Sequence, residues 1–319
     1  MRYSLLSRFR GCWLGAALGG IYNSHSSPQL FQWRRLAVLG AESLIEQGRF
    51  EPEDWCARFS AEFPNLNAKD SVFPEEALIT SVPVALFYHE NEIKLRQNLL
   101  ALVKILPESI GQDRVLAMGY AIAQSLNEKL NPATLIPQLI SFLRVPSQLA
   151  QDLTLVQTFL EQGSSLGVVA TQIQQQGTQL NSGLALALYC FLSTAEDYRL
   201  SVARAAQTGA QGFAGCSSGD SRAQAQSQIT ATLTGALSGA HNSTVGIPAS
   251  LRMVMPRSDT VLADWGMNMT TQMLELADKL LAAWSGVYGQ SQRSSIPTQI
   301  AALSAPRVIL LPRSGLHPR

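Results

Sequence analysis

Acidic side chains are scarce in this chain. Only 23 Asp and Glu occur among 319 residues, and charged residues together make up 15 %, where an ordinary soluble domain carries about 25 %. Any metal centre built from carboxylates must draw on that small set. The 24 Lys and Arg leave a net charge of +1, which excludes a strong general attraction for nucleic acid or acidic membranes. Cys12, Cys56, Cys190 and Cys216 stand alone. They form no C-x-x-C pair and no zinc spacing, so they are expected to be thiols in a reducing cytoplasm. His25, His89, His241 and His317 are scattered, with no i, i+4 pair to place two imidazoles on one helix face. No stretch reaches the ~18 apolar residues of a transmembrane helix. Alternating β patterns are nearly missing, Val308–Leu311 being the one short β-branched run.

What is present is helical. Apolar residues make up 46 % of the chain and recur at helical spacing almost throughout. The spacing predicts helices over Arg35–Gln47, from Pro52, and over about 74–88, 91–105, 111–128, 132–144, 147–161, 181–193, 197–210, 225–241 and 259–286. Gly48, the prolines at 132, 137, 146 and 248 and the glycines at 163, 177 and 183 punctuate them. Near the start, Arg2, Arg8 and Arg10 lead into the apolar run Gly11–Tyr22. That run has the length of a signal-peptide core but is followed by no A-x-A-like cleavage site. Its Gly11, Gly15 and Gly19 fall on one helical face, and Gly235-Ala236 with Gly239-Ala240 form a second small-residue face later in the chain. Both faces are expected to serve tight helix crossings. Gly209–Ala223 is small, polar and Gly-rich and reads as a loop, and Gln172–Gln176 reads as a solvated helix end. The expected architecture is a single all-α domain over residues 1–289, followed by a mobile Pro- and Arg-containing tail over 290–319.

Several segments resemble one known family. Arg8–Gly20 is similar to the opening helix of the ADP-ribosylglycohydrolases. Ala41–Glu46 with Phe50–Asp54 resembles their next helix pair, and Ala77–Pro83 their central Pro-bearing helix. Gly235–Ala240, then Gly246-Ile247-Pro248, resembles their late glycine helix. The order and spacing hold over roughly residues 8–285. The resemblance implies an orthogonal helical bundle of that type. For ordinary members it implies hydrolysis of an ADP-ribosyl bond at a dinuclear Mg²⁺ or Mn²⁺ site.

Such a site needs several carboxylates, with hydroxyls and waters completing octahedral shells. In the family they come from an early Thr-Asp-Asp-Thr and a late Gly-Asp-Thr-Asp-Thr motif. Counted back from Ala41, the early motif falls on Phe31-Gln32-Trp33-Arg34. Both aspartates are gone, and an arginine there would repel Mg²⁺. Counted back from Gly235, the late motif falls on Ala225–Ile229, where Gln226 and Gln228 replace both acids. The usual Gly-Asp after the opening helix is Gly19-Gly20, and the arginine of the central helix is Thr80. An alternative alignment starts the late motif at Gly219-Asp220-Ser221, with Arg222 in place of its second aspartate. On the alternative alignment one acid of the four survives, too little charge to hold the two metal ions implied by the resemblance, and no cofactor is expected.

Other constellations have plainer explanations. Gly215–Gly219 matches G-x-S-x-G, but that elbow needs a strand before it. His89 is expected at a helix-terminal surface, and His241 in a structural hydrogen bond. Asp70, Glu75 and Glu76 could form a metal-free acid/base pair; acids favoured by a helix N-terminus are the simpler account. Trp33-Arg34-Arg35 could stack a base and pair a phosphate, the alternative being a surface patch. The favoured expectation is a catalytically degenerate, cytoplasmic member of the fold. It would bind ADP-ribose or an ADP-ribosylated protein, or act as a scaffold, through cleft positions Gly20, Gln32, Trp33, Thr80, Gln226 and Gln228. An active hydrolase with Asp220 or Glu76 as its acid, and a purely partner-binding domain, are the alternatives. Neither nucleic acid nor membrane is an expected partner.

Overall fold

Two faces of small residues set the centre of the molecule. Helix α1 (Leu5–Ile21) and the long helix α12 (Ser221–Gly246) lie against each other. Gly11 faces Gly239, Gly15 faces Gly235 and Gly19 faces Ala231, so the two helices run antiparallel. A Cβ on any of the three α1 glycines would overlap backbone atoms of α12. The apolar run near the start is thus a core helix, buried almost all round, as expected for a helix apolar on every face. Tyr198 at the start of α11 (Tyr198–Ala206) donates its phenol to the Gly15 carbonyl oxygen at 2.8 Å and ties a third helix to the pair.

The computed structural model describes residues 3–21, 31–64, 74–106, 108–127, 130–176, 182–209, 221–254, 263, 265–267 and 270–286. The remaining helices are α2 (Phe31–Gln47), α3 (Pro52–Glu62), α4 (Ser81–Tyr88), α5 (Glu92–Val103), α6 (Gln112–Leu126) and α7 (Leu135–Leu143). They continue with α8 (Gln148–Gln162), α9 (Leu166–Gln176), α10 (Ser182–Leu192), α13 (Ala249–Val254) and α14 (Thr270–Trp284). There is no strand among the described residues, and the domain is all-α. Side-chain caps start several helices: Asn91, Ser147 and Asp197 accept the backbone N–H of Lys94, Ala150 and Leu200. Trp13, Trp55 and Trp265 are fully buried in the core. No described helix is long and apolar enough to cross a membrane.

The structure differs from the sequence expectations in five places. The helix expected over 259–286 is interrupted by a turn at Trp265 and Gly266, the latter with a φ of 68°, and runs from Thr270. The helix expected over 74–88 divides into a 3-10 segment, Pro74–Thr80, and α4. Pro83 is the reason. It lacks an N–H and its ring clashes with the carbonyl four residues back, so it is tolerated only in a first turn. Thr80 and Ser81 instead send their hydroxyls three residues back, to the Ala77 and Leu78 carbonyls at 2.6 and 2.7 Å. Helix α9 extends well before its glutamine-rich end, because Val169, Ala170 and Ile173 give it a buried face. Helix α12 outruns the expected 225–241 at both ends and breaks at Ser243, whose φ is 59°. His89 ends α4 as expected but is buried, 4 % exposed, between the rings of Phe9 and Trp284. Its Nδ1 donates to the Leu86 carbonyl at 2.8 Å, and burial pulls the imidazole below its ordinary value. Val308–Leu311 and the tail 290–319 lie outside the described residues.

Candidate functional site

The ends of several helices meet where α1 finishes and α2, α10 and α12 begin. Arg34, in the first turn of α2, points inward because its neighbours Trp33, Leu36 and Ala37 belong to the core. Its Nε lies 3.0 Å from Glu76 Oε1, and both side chains are 1 % exposed. The guanidinium lies against Gly20 at the end of α1, where a Cβ would stand 3.3 Å from an arginine terminal nitrogen and 3.4 Å from Thr232 Oγ1. Gln228 closes the other side, donating Nε2 to the Gly20 carbonyl oxygen at 3.1 Å. A buried ion pair therefore occupies the junction of α1, α2, α12 and the 3-10 segment.

Glu75 points the other way along the same segment and is 2 % exposed. Its carboxylate accepts the Gly183 N–H at 2.9 and 3.1 Å and the Gln226 Nε2 at 2.5 Å. It thereby caps α10 from outside that helix, where unsatisfied N–H groups and the helix dipole favour an anion. Gly183 is required there, because a Cβ would overlap the carboxylate and crowd Gln226 Nε2 at 2.6 Å. Desolvation pushes Glu75 up to about 7, against the opposing pull of Gln226, Arg114 and the α10 backbone. Arg114 in α6 is itself pulled down by burial, opposed by Glu75, Asp113 and Asp152. Asp152 of α8 is 2 % exposed and accepts Gln148 Nε2 at 3.1 Å.

A proton follows from this burial. The ordinary value for Glu75 is 4.5 and the folded value is about 7, so folding takes up a proton between them. Glu75's contribution is complete below the unfolded value and is lost as pH rises through the folded one, by about 3 kcal/mol in total. Denaturant unfolding of the wild type and Glu75→Gln from pH 4 to 8 should show the wild type losing about that much relative to the variant. A difference that stays constant with pH would contradict the prediction.

The structure brings Gly20, Gln226 and Gln228 together around Arg34, Glu76 and Glu75. Gln32 is half-buried in the first turn of α2. Trp33 is 4 % exposed and part of the core, so its ring is not offered to a base. Thr80 is fully buried, with its hydroxyl on Ala77. The alternative of a surface patch at Trp33-Arg34-Arg35 is also corrected: Arg34 is buried, and Arg35 pairs with Glu62 at 3.0 Å. Glu75 and Glu76 do not serve the start of their own segment; each is buried against another element. His241 lies 3.6 Å from Glu196 and edge-on to Phe191 at the opposite end of α10, away from this junction. Asp70, Asp220, Cys216, His25 and His317 lie outside the described residues.

The donor set that the described residues place at this junction does not fit two divalent cations. Among the described residues no three His, Cys, Asp or Glu side chains converge. A guanidinium stands among the motif positions, and the one carboxylate beside it is already its partner. Hard cations need several anionic oxygens free to bind them. Sequence reasoning passed over Arg34, Arg114, Asp152 and Gly183 as members of one network. The only signal was the rarity of acids, which made any adjacent Glu-Glu pair worth following inward.

A family model described as ADP-ribosylglycohydrolase matches residues 32–290. Among solved structures, one titled "ADP-ribosylglycohydrolase-related protein complex" is similar, with 14 % identity and a TM-score of 0.50. The match covers 88 % of this chain and 99 % of that one, and the likeness is one of fold. No curated protein matches.

Proposed function

Because this chain belongs to the ADP-ribosylglycohydrolase family, we propose that it is a member that has given up the metal centre and binds ADP-ribose, or the ADP-ribosyl group of a modified protein, without hydrolysing it. The observation that carries this reading is the Arg34–Glu76 pair, 3.0 Å apart and 1 % exposed. It puts a fixed positive charge, already neutralised, among the positions where the family places its metal-binding motifs. Gln32 and Gln226 remain partly accessible nearby and offer neutral donors and acceptors. Glu76, one of the two acids on which a metal-free hydrolase could draw, is held by Arg34, and the other, Asp220, lies outside the described residues. The protein is read as cytoplasmic, with residues 290–319 as a tail outside the binding domain.

Calorimetric titration with ADP-ribose tests the proposal, with millimolar Mg²⁺ and without it. Binding of equal strength in both conditions is expected. Binding that tightens with Mg²⁺ would overturn the metal-free reading. No binding in either condition would overturn the ligand and leave a scaffold. Release of ADP-ribose from ADP-ribosyl-arginine, followed in the same samples, would overturn the loss of catalysis.

A further inference from the structure

Gln226, near the start of α12, bonds Glu75 while remaining itself half-buried. Its Nε2 lies 2.5 Å from Glu75 Oε2, and no donor among the described residues reaches its Oε1. That arrangement suits an ionised Glu75, which can only accept. The other groups on the carboxylate cannot change sign. Gly183 and Leu184 present backbone N–H groups, and Arg114 has no acceptor. When Glu75 takes a proton, its new O–H needs an acceptor, and among the described groups on the carboxylate the carboxamide of Gln226 can supply it by turning over. The Oε1 then faces Glu75 and the NH₂ faces outward. We propose that Glu75 and Gln226 form a proton-coupled exchange that sets whether the site offers its ligand a hydrogen-bond acceptor or a donor. The exchange itself does not depend on the ligand; its use in selecting an acceptor-rich diphosphate rests on the reading above.

The surroundings support a single proton event. From α6 Glu75 faces Arg114, with Asp113 beside it, and Asp152 of α8 stands behind that arginine. On α2 the only charge turned to this segment is Arg34, paired with Glu76. The 3-10 turn Glu108–Ile110 brings Glu108, which is exposed, and Ser81–Phe87 of α4 brings no titratable group. Arg34 and Glu76 form a neutral pair, whereas Arg114 faces Glu75 first and Asp113 and Asp152 after it, so an ionised Glu75 leaves the carboxylates in excess. An ionised Glu75 repels a diphosphate and shows it a carbonyl oxygen; a protonated Glu75 does neither. Binding of an anionic, acceptor-rich ligand is therefore coupled to proton uptake at Glu75.

The experiment uses the full chain with ¹⁵N-labelled glutamine. The Gln226 carboxamide cross-peaks, assigned by their loss in Gln226→Leu, are followed from pH 5.5 to 8.5. One step near neutral pH is expected in the wild type and none in Glu75→Gln. The ¹³C carboxyl resonance of Glu75 should move with the same midpoint, which keeps the test decisive if the variant does not fold. No step in the wild type, or the same step in Glu75→Gln, would overturn the exchange whatever ADP-ribose does. ADP-ribose calorimetry in buffers of different ionisation heat then reads the coupling. Association should weaken by up to about tenfold per pH unit above the step, with net proton uptake. Binding without proton uptake would overturn the coupling to ligand. No binding with the step present would remove ADP-ribose as ligand and uphold the exchange.

Discussion

Gly15→Ala should cost the fold at least about 4 kcal/mol, a large share of the 5–15 kcal/mol that holds a typical domain together. A methyl group at that position has nowhere to go. It would overlap the Gly235 carbonyl oxygen and stand 3.0 Å from the Gly239 Cα, and both are backbone atoms in the middle of a long helix. A flexible side chain could turn aside, whereas here α1 and α12 must separate along their length. Separation would also pull the Gly15 carbonyl from the Tyr198 phenol. Overpacking against side chains costs about 1–3 kcal/mol, and rigid neighbours raise that figure. Gly163→Ala is the control. Nothing lies within 4 Å of its added Cβ, and the cost there comes only from its φ of +61°, about 1–2 kcal/mol. Urea unfolding followed by circular dichroism separates the two cases. Equal losses would mean that the crossing is softer than its contacts imply.

The helix crossing was legible because its signal is local. Small residues four apart on each helix point to close approach, and only the partner had to be found. The helix pattern elsewhere was legible for the same reason, with errors where a local rule had a competitor. Pro83 turned the start of one helix into a 3-10 segment, and the glutamines hid the apolar face of α9. The junction was half legible. Gly20, Gln226 and Gln228 were marked by resemblance alone, through their place relative to the glycine helix. Arg34, Glu75 and Glu76 are plain in the sequence but could not be paired from it. Burial of a charge depends on a counter-charge that arrives from another helix. Adjacent acids after a proline look the same in sequence whether they face water or, as here, an arginine and a helix end.

Glu76→Gln should be the more damaging half of the second test. It leaves the Arg34 guanidinium buried without its anion, and a guanidinium does not shed its proton in a protein. Removing one partner of a buried pair costs about 3–5 kcal/mol, and Glu76→Gln should lie at the upper end. Arg34→Met leaves a carboxyl instead. A carboxyl can take up a proton, so that variant should recover stability as pH falls, whereas Glu76→Gln should not. The double variant Arg34→Met/Glu76→Leu removes both charges and keeps apolar volume on two segments whose neighbouring residues Trp33, Leu36 and Ala77 are buried. It should fall within about 2 kcal/mol of the wild type, since well-packed apolar replacements of buried pairs are often neutral or better. With the single Glu76→Leu added, wild type, Arg34→Met, Glu76→Leu and the double variant form a cycle whose coupling energy, read by denaturant unfolding, isolates the pair. Strong coupling would mean that the guanidinium and carboxylate stabilise each other and nothing else. The pair would then be an internal filling of the junction, and Mg²⁺ should stabilise none of the variants. A double variant as unstable as Glu76→Gln would mean that Arg34 serves partners besides Glu76. Its charge would then belong to the binding function, and the loss of ADP-ribose affinity in Arg34→Met would measure how much.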